Sequence, residues 1–173
     1  MKQTLVALVE NKPGVLNRVA SLFRRRGFNI DSLTVGRTED DAVSRMTIVM
    51  DSSATEAWRV EENLYKLVNV IQVNDLTHKA AVVRDLALIK VAVDKQTRQE
   101  VMQLCEIFRA KIIDASTDTV IVEITGTEDK ISGLVEVLKP FGILEMVRTG
   151  VVAMARRERI TNGHPVPTPN GRN

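Results

Sequence analysis

Apolar residues along the chain follow a strand-like and a helix-like periodicity in an order that occurs twice. Residues 2–10 form a largely apolar run that predicts a buried strand. From Val15 onward, apolar positions recur every three or four residues and predict an amphipathic helix. Two strands at residues 28–36 and 43–50, a helix at 57–67 and a strand at 70–76 complete the first half. The predicted order over residues 2–76 is therefore βαββαβ.

Local signals mark the element ends in this half. Pro13 suits the first turn of the first helix, and Gly27 suits its end. The alternation of the second strand slips by one residue near Asp31 and Ser32, which predicts a β-bulge. Ser53-x-x-Glu56 is a capping-box pattern that predicts the start of the second helix.

The same order returns after residue 83. The predicted elements are a strand at 85–93, a helix bearing Val101 to Phe108, strands at 111–116 and 119–126, a helix bearing Ile131 to Leu138, and one last strand at 143–155. Thr97-x-x-Glu100 predicts the cap of the first of these helices. The segment "LFRRRGFNIDS" also resembles "IFRAKIIDAS", which supports an internal duplication.

The repeated order predicts an α+β fold of two ferredoxin-like βαββαβ sandwiches in tandem. In each half, two helices cover one face of an antiparallel sheet. Several strands are apolar in both phases, so we expect the second sheet face to be covered as well, within a chain, between chains, or both. We place the domain boundary between residues 77 and 78. Residues 160–173 hold three prolines and two glycines, which predicts a disordered tail.

Charge and composition exclude several classes of protein. Residues 156–173 carry four arginines and one glutamate, a net +3 out of a total of +2, which leaves the folded body at −1. Aromatic residues make up only 3%, so stacking on nucleic-acid bases is not expected. The chain shows no signal sequence and no membrane-length apolar run, and its one cysteine fits a reducing compartment. We therefore expect a cytoplasmic protein that binds neither nucleic acid nor a membrane.

The side chains that usually carry catalysis are sparse. The two histidines, His78 and His164, fall in the predicted linker and tail. No Cys or His spacing matches a metal site, and no Gly-rich phosphate loop is present. Cys105 lies on the apolar stripe of its helix, where a buried thiol is expected. The sequence predicts no catalytic residue and no metal ligand.

The segment "NKPGVL" at residues 11–16 is the strongest candidate for a ligand site. The first amides of a helix lack intrahelical acceptors and lie at the positive end of the dipole, so those of Gly14, Val15 and Leu16 suit a carboxylate. Asn11 and Asn29 offer oxygen atoms to an ammonium group. With Val15, Leu16 and Ile30 as apolar neighbours, these residues suit a free branched amino acid. A helix-start turn without any ligand explains the same pattern.

Three segments carry a specific resemblance. "ENKPGVLNRVASLFRRRGFNIDSLTVG" resembles the N-terminal ACT domain of the regulatory (small) subunits of acetohydroxyacid synthase, also called acetolactate synthase. "EIFRAKIIDAS" and "RTGVVAMARRE" resemble the C-terminal domain of that family. The resemblance covers residues 2–159. It implies an ACT domain at residues 1–77 for effector binding and dimerisation, and a C-terminal ferredoxin-like domain at 78–159 that contacts the catalytic subunit.

The resemblance also implies a function. Such a subunit has no active site and no cofactor of its own. It activates a separate catalytic subunit that uses thiamine diphosphate, magnesium and FAD, and it confers feedback inhibition by a branched-chain amino acid, typically valine. The effector lies between the ACT domains of a homodimer. Its expected contacts in one chain are Asn11, Pro13, Gly14, Val15 and Leu16, and in the other chain Asn29 and Ile30. Asn17 departs from the Ser common in relatives, close to this pocket.

The second half has no Pro-Gly turn, so we expect it not to bind an amino acid in the same way. Three alternatives remain. A stand-alone ACT protein that senses an amino acid for another target would bind the effector without stimulating the synthase. A small enzyme would be active in isolation, and an RNA-binding ferredoxin-like pair would bind nucleic acid in a salt-dependent manner.

Overall fold

The computed structural model describes residues 2–51 and 57–156. Two predictions lie outside these residues, the capping box at Ser53 and Glu56 and the tail at 160–173. The chain divides into two compact units. Among the described residues, one unit comprises those up to Val82 together with residues 153–156, and the other is Val83–Val152.

The first unit has the predicted βαββαβ order. Its elements are β1 (Lys2–Glu10), α1 (Val15–Arg26), β2 (Ile30–Arg37), β3 (Val43–Asp51), α2 (Ala57–Tyr65) and β4 (Val70–Asp75). The strands form one antiparallel sheet in the order β2-β3-β1-β4, so β2 and β4 are its outer strands. The pairing of β2 with β3 shifts register between Ile30 and Ser32, which confirms the predicted bulge.

Alternation within the strands builds the core of the first unit. The side chains of Leu5, Ala7 and Val9 belong to one buried cluster with residues of both helices. On the opposite face of β1, Val6 and Leu8 are buried as well. That face also carries Arg45, whose Nη2 donates to the carbonyl of Ala153 at 2.6 Å. Central residues on both faces of this sheet are therefore buried, in line with the two apolar phases of β1.

The second half repeats the topology. Its elements are β5 (Ala81–Ala92), α3 (Thr97–Ile107), β6 (Lys111–Ala115), β7 (Thr119–Gly126), α4 (Glu128–Leu138), a short 3-10 helix (Lys139–Phe141), β8 (Ile143–Arg148) and β9 (Val152–Ala155). The sheet order is β6-β7-β5-β8, with β9 also paired to β5. Alternate residues of β5 and β7 pack under the two helices, with Cys105 in the same cluster. The predicted ferredoxin-like fold is confirmed for both halves.

The prediction of one last strand at residues 143–155 was wrong. The segment forms two strands, because Gly150 adopts a left-handed conformation with φ +83° between them. Apolar periodicity alone did not reveal this break, since Val147, Val151 and Val152 continue the strand-like pattern through it.

Candidate functional site

The connection from β1 to α1 is a tight type II turn. The amide of Val15 donates to the carbonyl of Lys12 at 3.4 Å. Gly14 has φ 83° and ψ −8°, the values required at the third position of such a turn, and Pro13 occupies the second position, which it favours. Pro13 was predicted inside the first helical turn. That prediction was wrong, because α1 begins at Val15 and Pro13 lies in the turn before it.

This turn leaves helix amides exposed at the start of α1. The first helical bond runs from the amide of Arg18 to the carbonyl of Gly14 at 3.0 Å. Among residues 2–51 and 57–156, the amides of Gly14, Leu16 and Asn17 donate no hydrogen bond. The amide of Val15 is engaged by Lys12, and the Val15 side chain is buried in the core. Leu16, by contrast, is 46% exposed beside the turn.

Asn11 connects the turn to the loop between β2 and β3. Its amide donates to the carbonyl of Ala42 at 2.7 Å, and its side-chain Nδ2 donates to the carbonyl of Asp41 at 2.8 Å. Because Nδ2 is held by this loop, the Oδ1 of Asn11 is the atom directed to other partners. An ammonium group requires such an oxygen.

A polar network that the sequence did not indicate lies beside the turn. Asn69 donates from Nδ2 to Glu10 Oε2 at 2.5 Å, and its Oδ1 accepts from Arg18 Nη1 at 2.7 Å. The Lys12 ammonium lies 3.2 Å from the same Glu10 oxygen. The hydrogen bond from Asn69, followed by that from Lys12, holds the pKa of Glu10 below its ordinary value. Because Asn69 is 59 positions from Glu10 in the chain, no local pattern could have revealed the network.

The two residues expected to contact the effector from the other chain, Asn29 and Ile30, lie at the opposite end of α1. Gly27, with φ 70°, ends the helix as predicted, and Phe28 donates its amide to the carbonyl of Phe23 at 3.1 Å. The rings of Phe23 and Phe28 pack edge to face with centroids 5.7 Å apart, which completes a Schellman motif.

Asn29 and Ile30 follow directly after this motif. Asn29 is exposed, and Ile30 pairs with Met50. Since α1 has 12 residues, its length separates Asn29 and Ile30 from the turn by about 18 Å.

The equivalent helix start in the second unit is occupied by the protein itself. The Oδ1 atom of Asp94 accepts the amides of Gln96 and Thr97 at 2.8 Å each, and the amide of Asp94 donates to Thr97 Oγ1 at 2.9 Å. The predicted cap at Thr97 and Glu100 was therefore placed three residues too late. Hydrogen bonds from Thr97, backbone first, lower the pKa of Asp94. A carboxylate thus fills the position at α3 that is open at α1.

The described residues hold one buried cysteine and no cluster of metal-ligating side chains. Cys105 is 3% exposed, and its burial raises the pKa of the thiol. No group of three His, Cys, Asp or Glu side chains that could hold a metal is present in residues 2–51 and 57–156. None of the helices described has the length and apolar character to cross a bilayer.

Comparison with known proteins matches both halves to one family. A family model described as an AHAS small subunit-like ACT domain matches residues 5–72, and one described as the small subunit of acetolactate synthase matches residues 84–157.

Two relatives and one solved structure agree. The probable acetolactate synthase small subunit of Archaeoglobus fulgidus is 51% identical over 90% of this chain and 98% of its own length. The acetolactate synthase small subunit of Mycolicibacterium smegmatis is 47% identical over 90% of this chain and 92% of its own. The crystal structure of the acetolactate synthase small subunit from Thermotoga maritima is 42% identical and superposes with a TM-score of 0.85, covering 92% of this chain and 99% of that one.

Proposed function

The chain belongs to the family of acetolactate synthase small subunits, and from this premise we propose that it activates a catalytic subunit and makes it sensitive to a branched-chain amino acid, with valine as the effector. Small subunits imply a catalytic partner. The condensation of two pyruvates, or of pyruvate with 2-oxobutyrate, belongs to that partner in this proposal, with its thiamine diphosphate, magnesium and FAD. The complex acts in the cytoplasm, in the synthesis of valine, leucine and isoleucine.

The observation that carries the proposal is the open helix start at α1. The amides of Gly14, Leu16 and Asn17 have no acceptor among the described residues, whereas the matching amides at α3 are held by Asp94. An amino-acid carboxylate accepts hydrogen bonds from the first amides of α1, as the carboxylate of Asp94 does at α3. The Oδ1 of Asn11 then accepts from the ligand ammonium group, and the exposed Leu16 side chain contacts an apolar ligand side chain.

The effector site is shared between two copies of the chain in this proposal. Asn29 and Ile30 lie about 18 Å from the turn, a helix length away, which is too far to contact the same small molecule within one chain. Ile30 begins β2, an outer strand of its sheet, and Asn29 directly precedes it. The other outer strand, β4, is covered at Val73 by the hydroxyl of Tyr65. We therefore infer a homodimer in which β2 of each ACT domain faces its partner.

The second unit has a different role in this proposal. Asp94 closes its helix start to a second effector, and we assign this unit to contact with the catalytic subunit. These different roles of the two units are consistent with the different sequences of their turns, "NKPGVL" and "VDKQTRQ".

Reconstitution tests the proposal directly. The purified catalytic subunit is assayed for acetolactate formation alone and with increasing amounts of the chain, with and without valine. We expect stimulation by the chain and inhibition by valine only when the chain is present. Binding of valine without stimulation would instead favour a stand-alone amino-acid sensor, and activity of the isolated chain would favour an enzyme.

A further inference from the structure

Asn69, in the connection between α2 and β4, bonds both sides of the turn that joins β1 to α1. Its carbonyl accepts the amide of Glu10 at 2.9 Å, and its side-chain Nδ2 donates to Glu10 Oε2 at 2.5 Å. Its Oδ1 accepts from Arg18 Nη1 at 2.7 Å. Glu10 is the last residue of β1, and the amide of Arg18 donates to the carbonyl of Gly14 in the first turn of α1. One side chain therefore holds the backbone before the turn and the helix after it.

These contacts explain why residue 69 is an asparagine. Asparagine is common in connections because it tolerates a left-handed backbone. Among residues 2–51 and 57–156, however, Arg109 is the one non-glycine residue with a positive φ, so the backbone of Asn69 does not require asparagine. The Glu10 carboxylate needs a donor and the Arg18 guanidinium needs an acceptor. A side-chain amide offers both, whereas a carboxylate or an ammonium group offers one.

The other side of the turn is held independently. Asn11 donates to the carbonyls of Ala42 and Asp41 in the loop between β2 and β3. Lys12 also contacts Glu10, but it belongs to the turn itself and cannot connect it to another element. Asn69 is thus the side chain that connects the turn and the start of α1 to the α2–β4 connection.

Holding the turn matters for a ligand bound by backbone amides. Amides that already point towards a carboxylate bind it with a smaller entropic cost than amides that must first be ordered. If only a fraction of the molecules has the turn in this conformation, the apparent dissociation constant rises by the inverse of that fraction. The contacts of Asn69 therefore affect the affinity for the effector.

We propose that Asn69 is a positioning residue for the effector site: it holds the turn in the conformation that binds the amino-acid carboxylate, acting through Glu10 and Arg18. This inference rests on the proposed function, which provides the ligand. It assigns to Asn69 the concentration of valine that is needed for inhibition. The extent of inhibition at saturating valine does not depend on Asn69, because the ligand itself then holds the turn.

The test measures inhibition by valine of the catalytic subunit reconstituted with full-length variants. Asn69→Leu keeps the approximate shape and removes both side-chain bonds. If the held conformation falls to about one tenth of the molecules, the half-inhibitory concentration of valine rises about tenfold. Arg18→Met removes the contact on the helix side and should raise this concentration as well. Maximal inhibition and stimulation without valine should equal those of the wild type.

An exchange of the two groups provides the specific control. In the double variant Glu10→Gln with Asn69→Asp, the amide and the carboxylate change places, so Gln donates to Asp and Asp accepts from Arg18. The net charge is that of the wild type, and we expect the wild-type half-inhibitory concentration. Gln103→Leu, which removes an exposed amide from α3, should also leave it unchanged.

Thermal unfolding without valine separates positioning from stability. Exposed polar contacts contribute little to stability, so the unfolding temperatures of all variants should be close to that of the wild type. A wild-type half-inhibitory concentration for Asn69→Leu and Arg18→Met overturns the positioning role and leaves the proposed function intact. So does a raised concentration that the exchanged pair does not restore. A wild-type chain that neither stimulates the catalytic subunit nor confers inhibition by valine overturns both.

Discussion

The hydroxyl of Tyr65 accepts the amide of Val73 at 3.0 Å and donates to the carbonyl of the same residue at 3.3 Å. One side chain thus occupies both backbone groups that Val73 directs away from β1. Since β4 is an outer strand of its sheet, this residue would otherwise present a donor and an acceptor to another strand. Tyr65 therefore both fastens α2 to the sheet and protects its edge.

Tyr65→Phe removes these two hydrogen bonds and keeps the ring. We expect a loss of about 1–3 kcal/mol in the free energy of unfolding of the first unit, since each bond contributes roughly 0.5–1.5 kcal/mol. Hydrogen exchange measures it, with faster exchange of the Val73 amide in the variant. Amides of β1 that exchange only on global opening serve as the reference. Unchanged protection at Val73 would mean that the hydroxyl contributes nothing to this edge.

Asp94 makes the second unit dependent on pH. Its hydrogen bonds lower the pKa in the folded chain below the ordinary 3.8, so the ionised carboxylate stabilises the folded state above that value. The stabilisation disappears as the pH falls through the lowered pKa. Asp94→Asn should melt at a lower temperature than the wild type at pH 7, and the difference should shrink as the pH falls through the lowered pKa. A difference that stays constant during acidification would assign the effect to shape instead of charge.

The sequence predicted most of the fold because its signals are local. The periodicity of α1, the αL glycine at residue 27 and the phase slip at Asp31 each involve residues close together, and the structure confirms all three. Two of the wrong predictions concern competition between neighbouring signals. Thr97 matches a capping box, yet Asp94 three residues earlier binds the amides. Likewise, Pro13 suits a helix, but with Gly14 it forms a turn.

The candidate site was only partly accessible from sequence. The Pro-Gly turn and Asn29 can be recognised in the sequence, and the resemblance assigned them to two different chains of one effector site. The network of Glu10, Arg18 and Asn69 depends on pairing between β1 and β4, which no pattern specifies. Likewise, only the structure shows that Asn11 is oriented by Asp41.

Gly14→Asp tests the proposed carboxylate position. No atom lies within 4 Å of a Cβ added at Gly14, so the side chain fits, although φ +83° is unfavourable for a residue with a Cβ and costs about 1 kcal/mol. Gly14→Asn has the same shape and the same backbone cost without the charge. We expect Gly14→Asp to stimulate the catalytic subunit without responding to valine. Both variants should show similar unfolding temperatures without ligand. A valine response equal to that of Gly14→Asn would rule out the turn as the carboxylate site.

Mixed dimers test whether two chains share the effector site. In the proposed dimer, each site combines the turn of one chain with Asn29 of the other, so Gly14→Asp and Asn29→Ala homodimers should both lose the valine response. A mixed dimer of one chain of each kind contains one site with both defects and one site with neither. Valine should therefore raise the unfolding temperature of the mixed dimer, with binding to half as many sites per dimer as in the wild type.

A site built within one chain gives the opposite result, because each chain of the mixed dimer then carries a defect. The dimers are prepared by co-expression with two affinity tags and sequential purification, so that the homodimers are absent. Calorimetric titration with valine counts the sites. One site per mixed dimer establishes the shared arrangement, and none excludes it. The turn and Asn29 lie at opposite ends of the 12-residue α1, too far apart to contact one valine within a chain. The number of sites per mixed dimer tests this argument.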